Sequence, residues 1–163
     1  MATAAREKFA LFSNAYRVEE FSLYIRKKDK VRASYETISN FSENNSRIGI
    51  VEGYVYGSGV SMLLDNPKTS KYFVNAIIGE IDVARLLDEN IGGYLEDSFV
   101  GASLLRRKAL SRYIIAHGIT IQTGSAYVVF SNISVTPEQL GKFNIQLQKI
   151  KNSRIYQSIL TRN

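Results

Sequence analysis

The 163-residue chain contains no cysteine, which excludes both a disulfide framework and a thiolate metal site. Its single histidine is His117, so a His-based metal centre or a nucleophile–histidine–acid triad has little to build on. Tryptophan is absent, and Pro67 and Pro137 are the only prolines. No apolar run approaches the ~20 residues that a membrane-spanning helix requires. Met1-Ala2-Thr3-Ala4-Ala5-Arg6 is not followed by an apolar stretch, so no secretory signal is expected. Ala2 in place of glycine argues against N-myristoylation. The sequons at Asn40, Asn44 and Asn132 are therefore expected to be chance matches.

What is present is positive charge, unevenly spread. The net charge is +6, with basic segments over residues 1–32 and 101–163 bracketing an acidic middle over 33–100. Such a distribution favours anionic partners. The length suits one domain, able to bury roughly 70% of the surface its unfolded chain exposes. The expected organisation is a single domain over 1–163, with an N-terminal arm at 1–19 and a C-terminal helical extension at 136–163.

Leu104 to Ile133 reads as the organising stretch. Leu104, Leu105, Ala109, Tyr113 and Ile114 fit a basic amphipathic helix that stops at His117-Gly118. Ile119 and Ile121 then alternate with polar residues, Thr123-Gly124-Ser125 supplies a hairpin turn, and Tyr127–Phe130 returns as a buried strand. Earlier in the chain, Phe21, Leu23 and Ile25 alternate as a half-buried strand, and Ser34 caps a short helix. Residues 47–64 read as a hairpin punctuated by Gly53, Gly57 and Gly59, and residues 72–78 as a central strand. Asp82 caps a turn of helix. Thr136-Pro137-Glu138 is a strong helix start, followed by the apolar stripe Leu140, Phe143, Leu147 and Ile150.

Catalytic motifs are poor. Gly57-Ser58-Gly59 lacks the Gly-Lys-Ser/Thr of a phosphate loop. Glu80, Asp82, Asp88, Glu89, Glu96 and Asp97 could gather around a divalent ion, but their spacing favours a solvated acidic face. The densest signal is cationic. Arg26, Lys27, Lys28, Lys30 and Arg32 crowd one loop, and Arg106, Arg107, Lys108 and Arg112 form a second cluster.

Arg106–Leu110, Gly118–Ile121, Gly124–Val129 and Ser131–Ile133, in that order, resemble the C-terminal helix and hairpin of rhabdovirus matrix proteins. The earlier order of strand, short helix and strand pair from Phe21 to Leu64 is compatible with that family. The resemblance implies an α+β domain with a twisted antiparallel sheet packed against helices, without enzymatic activity or cofactor. It implies a structural protein of an RNA virus, plant-infecting rather than animal, that bridges the viral nucleocapsid and anionic membrane lipid in virion assembly. Both basic clusters are then the membrane- or nucleocapsid-binding residues, and Leu140, Phe143, Leu147 and Ile150 drive self-association into a homo-oligomer. Non-specific RNA contact accompanies that role. The implied location is the virion beneath its envelope, and host cytoplasm, internal membranes or nucleus during infection. A basic nucleic-acid-binding accessory protein of a virus or phage is the first alternative, and a small metal-dependent hydrolase the second.

Overall fold

The computed structural model describes residues 4–160; the outermost residues of the expected N-terminal arm (1–3) and C-terminal extension (161–163) lie outside them. In chain order the elements begin with α1 (Ala4–Glu7), β1 (Ala10–Phe12), β2 (Arg17–Arg26), a 3-10 turn at Arg32–Ser34 and α2 (Ser39–Glu43). There follow β3 (Ile48–Val51), α3 (Gly57–Asp65), α4 (Pro67–Ser70), β4 (Phe73–Ala76), α5 (Gly79–Leu87) and β5 (Gly93–Asp97). The chain closes with α6 (Ser98–Arg107), β6 (Ile114–Ala126), β7 (Val129–Ser131), α7 (Pro137–Lys151) and α8 (Arg154–Leu160). Two compact units result, one drawn from Met1–Glu19 with Gly124–Asn163, the other from Glu20–Thr123. The chain passes from one unit to the other within β2 and again at the end of β6.

The larger unit is built on a five-stranded sheet of order β4-β3-β5-β2-β6. The α+β class holds, but the sheet is mixed, not antiparallel: β3 runs parallel to both β4 and β5, while β2 runs antiparallel to β5. Parallel neighbours require crossovers, and α3, α4 and α5 supply them. The expected hairpin over 47–64 is therefore a strand followed by a helix. Val60, Leu63 and Leu64, at i, i+3 and i+4 of α3, turn one face into the core. Residues 72–78 give β4, an edge strand and not a central one.

Burial on both sheet faces explains the strand composition. Phe21, Leu23, Ile25, Ile48, Ile50 and Leu95 pack with Ile38, Phe41 and Val60 in one cluster. Tyr24 and Tyr94 stack with ring centroids 5.1 Å apart in a second, with Val83, Leu86, Leu104, Leu105 and Ile114. β2 is thus buried on both faces from Phe21 to Ile25, where alternation alone suggested half-burial.

The organising stretch folds differently from expectation. α6 ends at Arg107, and Ala109 turns the chain at φ 53°. β6 begins at Ile114, so His117 and Gly118 lie inside a 13-residue strand. Ile114, Ile115, Ile119, Thr120 and Ile121 are β-branched and favour that strand over a helical turn. Thr123-Gly124-Ser125 continues β6, and β7 pairs with β1 rather than returning on β6.

In the smaller unit β1 pairs antiparallel with β7, with Leu11 opposite Phe130. α7 starts at the expected Thr136-Pro137-Glu138 and adds a capping box, Thr136 and Gln139 each accepting the other's backbone N–H. Phe143 packs edge-on against Phe130 at 5.0 Å, and Lys151 Nζ donates to Ala15 O at 2.7 Å. Tyr156 OH donates to Tyr16 O.

Candidate ligand-binding edge of the sheet

The parallel strands β3, β4 and β5 end together at Val51, Ala76 and Asp97. β3 leads away through α3 to β4 on one side, while β5 leads through α6 towards β2 and β6 on the other. The gap between the carboxyl ends of β3 and β5 is therefore a topological switch point, where open α/β sheets leave a crevice outside the strands.

Two helix N-termini meet this edge in different states. That of α6 is filled: Asp97 Oδ1 accepts from Phe99 N at 3.0 Å and Val100 N at 3.3 Å. That of α3, in the stretch Gly57-Ser58-Gly59, has no side-chain cap. The first N–H groups of a helix left without such a cap suit an anionic group. The approach to α3 carries Glu52, Tyr54, Val55 and Tyr56, with Tyr54 45% exposed and Tyr56 buried. Tyr56 OH accepts the Val51 N–H at 2.7 Å, fixing the ring beneath Phe21, 4.7 Å away between centroids. Beyond β4, Ile77 and Ile78 are exposed ahead of Gly79. Ser98 Oγ lies 2.7 Å from Ser22 Oγ and donates to Glu20 O at 3.0 Å.

Carboxylates dominate the electrostatics. The acidic middle divides: Glu80, Asp88 and Glu89 are exposed as expected, but Asp82, Glu96 and Asp97 are buried. Two glycines make the room. A Cβ on Gly49 would lie 2.5 Å from Asp82 Cγ, and one on Gly79 would lie 2.2 Å from Glu96 Oε2. Burial drives the Asp82 carboxyl up to about 6, with the Arg85 guanidinium 3.0 Å away pulling the other way. Burial likewise drives Glu96 up to about 7, opposed by the Asp97 N–H it accepts and reinforced by Asp97, Glu80 and Asp82. Burial raises the Tyr56 and Tyr94 hydroxyls as well.

The sequence-predicted cations lie elsewhere. Arg26, at the end of β2, donates through Nη1 to Leu86 O (2.7 Å) and Ile91 O (2.9 Å), and through Nη2 to Asp29 at 3.0 Å. Arg32 joins the same carboxylate at 2.6 Å and donates through Nε to Ser46 Oγ. Burial opposes charge on Asp29, but the backbone and guanidinium of Arg32, with Arg26, hold its carboxyl below the usual range. These two arginines thus staple the loop, while Lys27, Lys28 and Lys30 stay exposed. A cavity of about 310 Å³ beside them is lined by Arg26, Lys28, Leu87, Glu89 and Tyr113. Arg106 and Arg107 close α6 and Lys108 follows as its C-cap. Arg112 lies over the Tyr113 ring at 4.7 Å. His117, expected at a helix end, accepts the Ile119 N–H through Nδ1, so Nε2 carries the proton towards Ala33 O. In α7, Leu140, Phe143 and Leu147 are half-buried and Ile150 is exposed.

Among the described residues no group of three or more His, Cys, Asp or Glu side chains is placed to hold a metal ion. No described helix is long and apolar enough to cross a membrane.

The fold is similar to that of several solved amino acid-binding proteins. The chain superposes on an amino acid ABC transporter substrate-binding protein from Streptococcus pneumoniae bound to L-arginine, with a TM-score of 0.71 and 22% identity over 98% of this chain and 62% of that one. It is similar to an ancestral arginine-binding protein bound to arginine, at TM-score 0.71 and 15% identity over 97% and 66%. It is similar also to an arginine transport-system periplasmic binding protein from Legionella pneumophila, at TM-score 0.64 and 17% identity over 99% and 68%. The chain therefore spans about two thirds or less of those proteins' length. No family model matches it, and no curated protein matches it in sequence.

These findings overturn the matrix-protein resemblance. The ordinary residue types of 104–133 recur in that order without the helix and hairpin they suggested. With the resemblance go the structural role in a virus, the bridging of nucleocapsid and anionic lipid, non-specific RNA contact and assembly into a layer beneath an envelope. The placement in a virion or host cell goes with them.

Proposed function

We propose that this chain is a non-enzymatic solute-binding protein that captures a small amino acid, preferentially one with a cationic side chain, at the carboxyl edge of its sheet. The observation that carries the reading is the pairing, across one switch point, of an uncapped α3 N-terminus with the buried carboxylate of Asp97. The first suits the α-carboxylate of a ligand and the second its ammonium group. Tyr54, 45% exposed, offers a ring face to a guanidinium or ammonium side chain. The bound arginine in structures that share the fold supports the same choice of ligand.

The lysines and arginines of the 26–32 and 106–112 segments take no part in this capture. Isothermal titration with L-arginine tests the proposal through Asp97→Asn. The variant keeps an oxygen for the α6 cap but loses the charge, so it should stay folded and bind at least tenfold more weakly. Equal affinity in parent and variant would remove Asp97 from the site.

A further inference from the structure

Glu96 is buried near the carboxyl end of β5. It sits one residue before Asp97, is 2% exposed, and forms no salt bridge among the described residues. Oε1 accepts the Asp97 N–H at 2.9 Å, and Oε2 occupies the space that a side chain on Gly79 would need. Its carboxyl is therefore held between the last residue of β5 and the first of α5.

The groups facing it are almost all acidic or neutral. From α5 come Glu80 and Asp82, from β5 Tyr94 and Asp97, from β2 Tyr24, and from the approach to α3 Tyr56. Tyr24 donates to Ser98 O at 3.2 Å and its hydroxyl is pushed by burial up to about 12, so it brings no charge. On α5, Arg85 is committed to Asp82 Oδ1 and to Asn75 O, each at 3.0 Å. Asp82 Oδ2 and the Tyr94 hydroxyl are buried without a hydrogen-bond partner. The charged groups that act on Glu96 among the described residues are carboxylates, so a negative charge on it meets repulsion.

We propose that Glu96 makes cation capture at this edge a proton-exchange reaction: its neutral acid is the resting form, and a ligand cation seated beside Asp97 displaces its proton to solvent. The charge balances, since the carboxyl O–H releases H⁺ to the buffer and the carboxylate left behind faces the incoming ammonium or guanidinium. An opposite charge within a few ångströms favours the ionised carboxylate, and here the ligand is the group that supplies one. Burial brings the Glu96 titration to about 7, so the exchange falls in the neutral range. The inference rests on the ligand reading above for the identity of the cation.

The experiment pairs a carboxyl ¹³C NMR titration of the free chain with calorimetric titration of L-arginine from pH 5.5 to 8. Each calorimetric point is run in two buffers of different ionisation enthalpy. The expected result is a Glu96 midpoint near neutrality, proton release on binding near pH 6, and affinity that rises by up to tenfold across the range. Glu96→Gln should still bind arginine, with no proton release and a flat profile. A free-chain Glu96 midpoint in the ordinary range near 4 overturns the proposal. So does arginine binding without proton release, or release that persists in Glu96→Gln. Absence of arginine binding at every pH overturns the ligand reading itself, and the exchange with it.

Discussion

Asp82 and Glu96 lie where water does not reach, and both carboxyls are pushed above their usual 3.8 and 4.5, to about 6 and 7. The folded chain therefore holds protons over roughly pH 4–7 that the unfolded chain has already released. Linkage then makes stability greatest in mild acid and lets it fall as pH rises through that window. Melting curves should show a Tm several degrees higher at pH 5 than at pH 8, and Asp82→Asn should shrink the difference. A Tm that climbs with pH would contradict the burial of these groups. At Gly49 the constraint is steric, because a methyl group would meet the Asp82 carboxyl at 2.5 Å. Gly49→Ala should cost about 1–3 kcal/mol, read as a lower denaturant midpoint. The basic loop separates residue by residue. Arg26→Ala removes the guanidinium shared by Leu86 O, Ile91 O and Asp29 and should cost roughly 1.5–3 kcal/mol. Lys27→Ala, at an exposed side chain, should change stability by less than about 0.5 kcal/mol.

Elements were legible where a local signal had no competitor. Thr136-Pro137-Glu138 announced α7, and the capping box is there; Thr136→Ala should lower stability by about 1 kcal/mol in chemical denaturation. The Phe21–Ile25 alternation found β2. The failures share a cause: short apolar runs that fit two periods. Tyr54 and Tyr56 alternate like a strand, while the 3–4 spacing of Val60, Leu63 and Leu64 that makes α3 begins only after them. The spacing of Leu104, Leu105 and Ile114 spans a helix, a left-handed turn at Ala109 and the start of a strand. Val129 follows the same pattern. A strand buried on β6 would make Val129→Asp unfold the chain, but Val129 is 52% exposed on β7. The substitution should melt within a few degrees of the parent.

At the scale of the whole molecule, the sequence showed the charge but misplaced its meaning. Clustered cations are conspicuous in a linear string, yet Arg26 and Arg32 turn inward onto Asp29. The carboxylates that act on one another, Glu80, Asp82, Glu96 and Asp97, come from α5 and the end of β5 and meet only in the fold. That convergence depends on crossovers, a long-range property that no spacing rule for single motifs captures. Gly57-Ser58-Gly59, which lacks the residues of a phosphate loop, opens α3 without a side-chain cap. The central claim is that a small cationic amino acid binds there. Backbone amide chemical-shift mapping with L-arginine tests it most directly. Saturable shifts should concentrate at Glu52–Gly59 and Glu96–Val100, with Arg26–Arg32 and Arg106–Arg112 unmoved. Shifts confined to those two basic segments, or no saturable shifts at millimolar arginine, would contradict it.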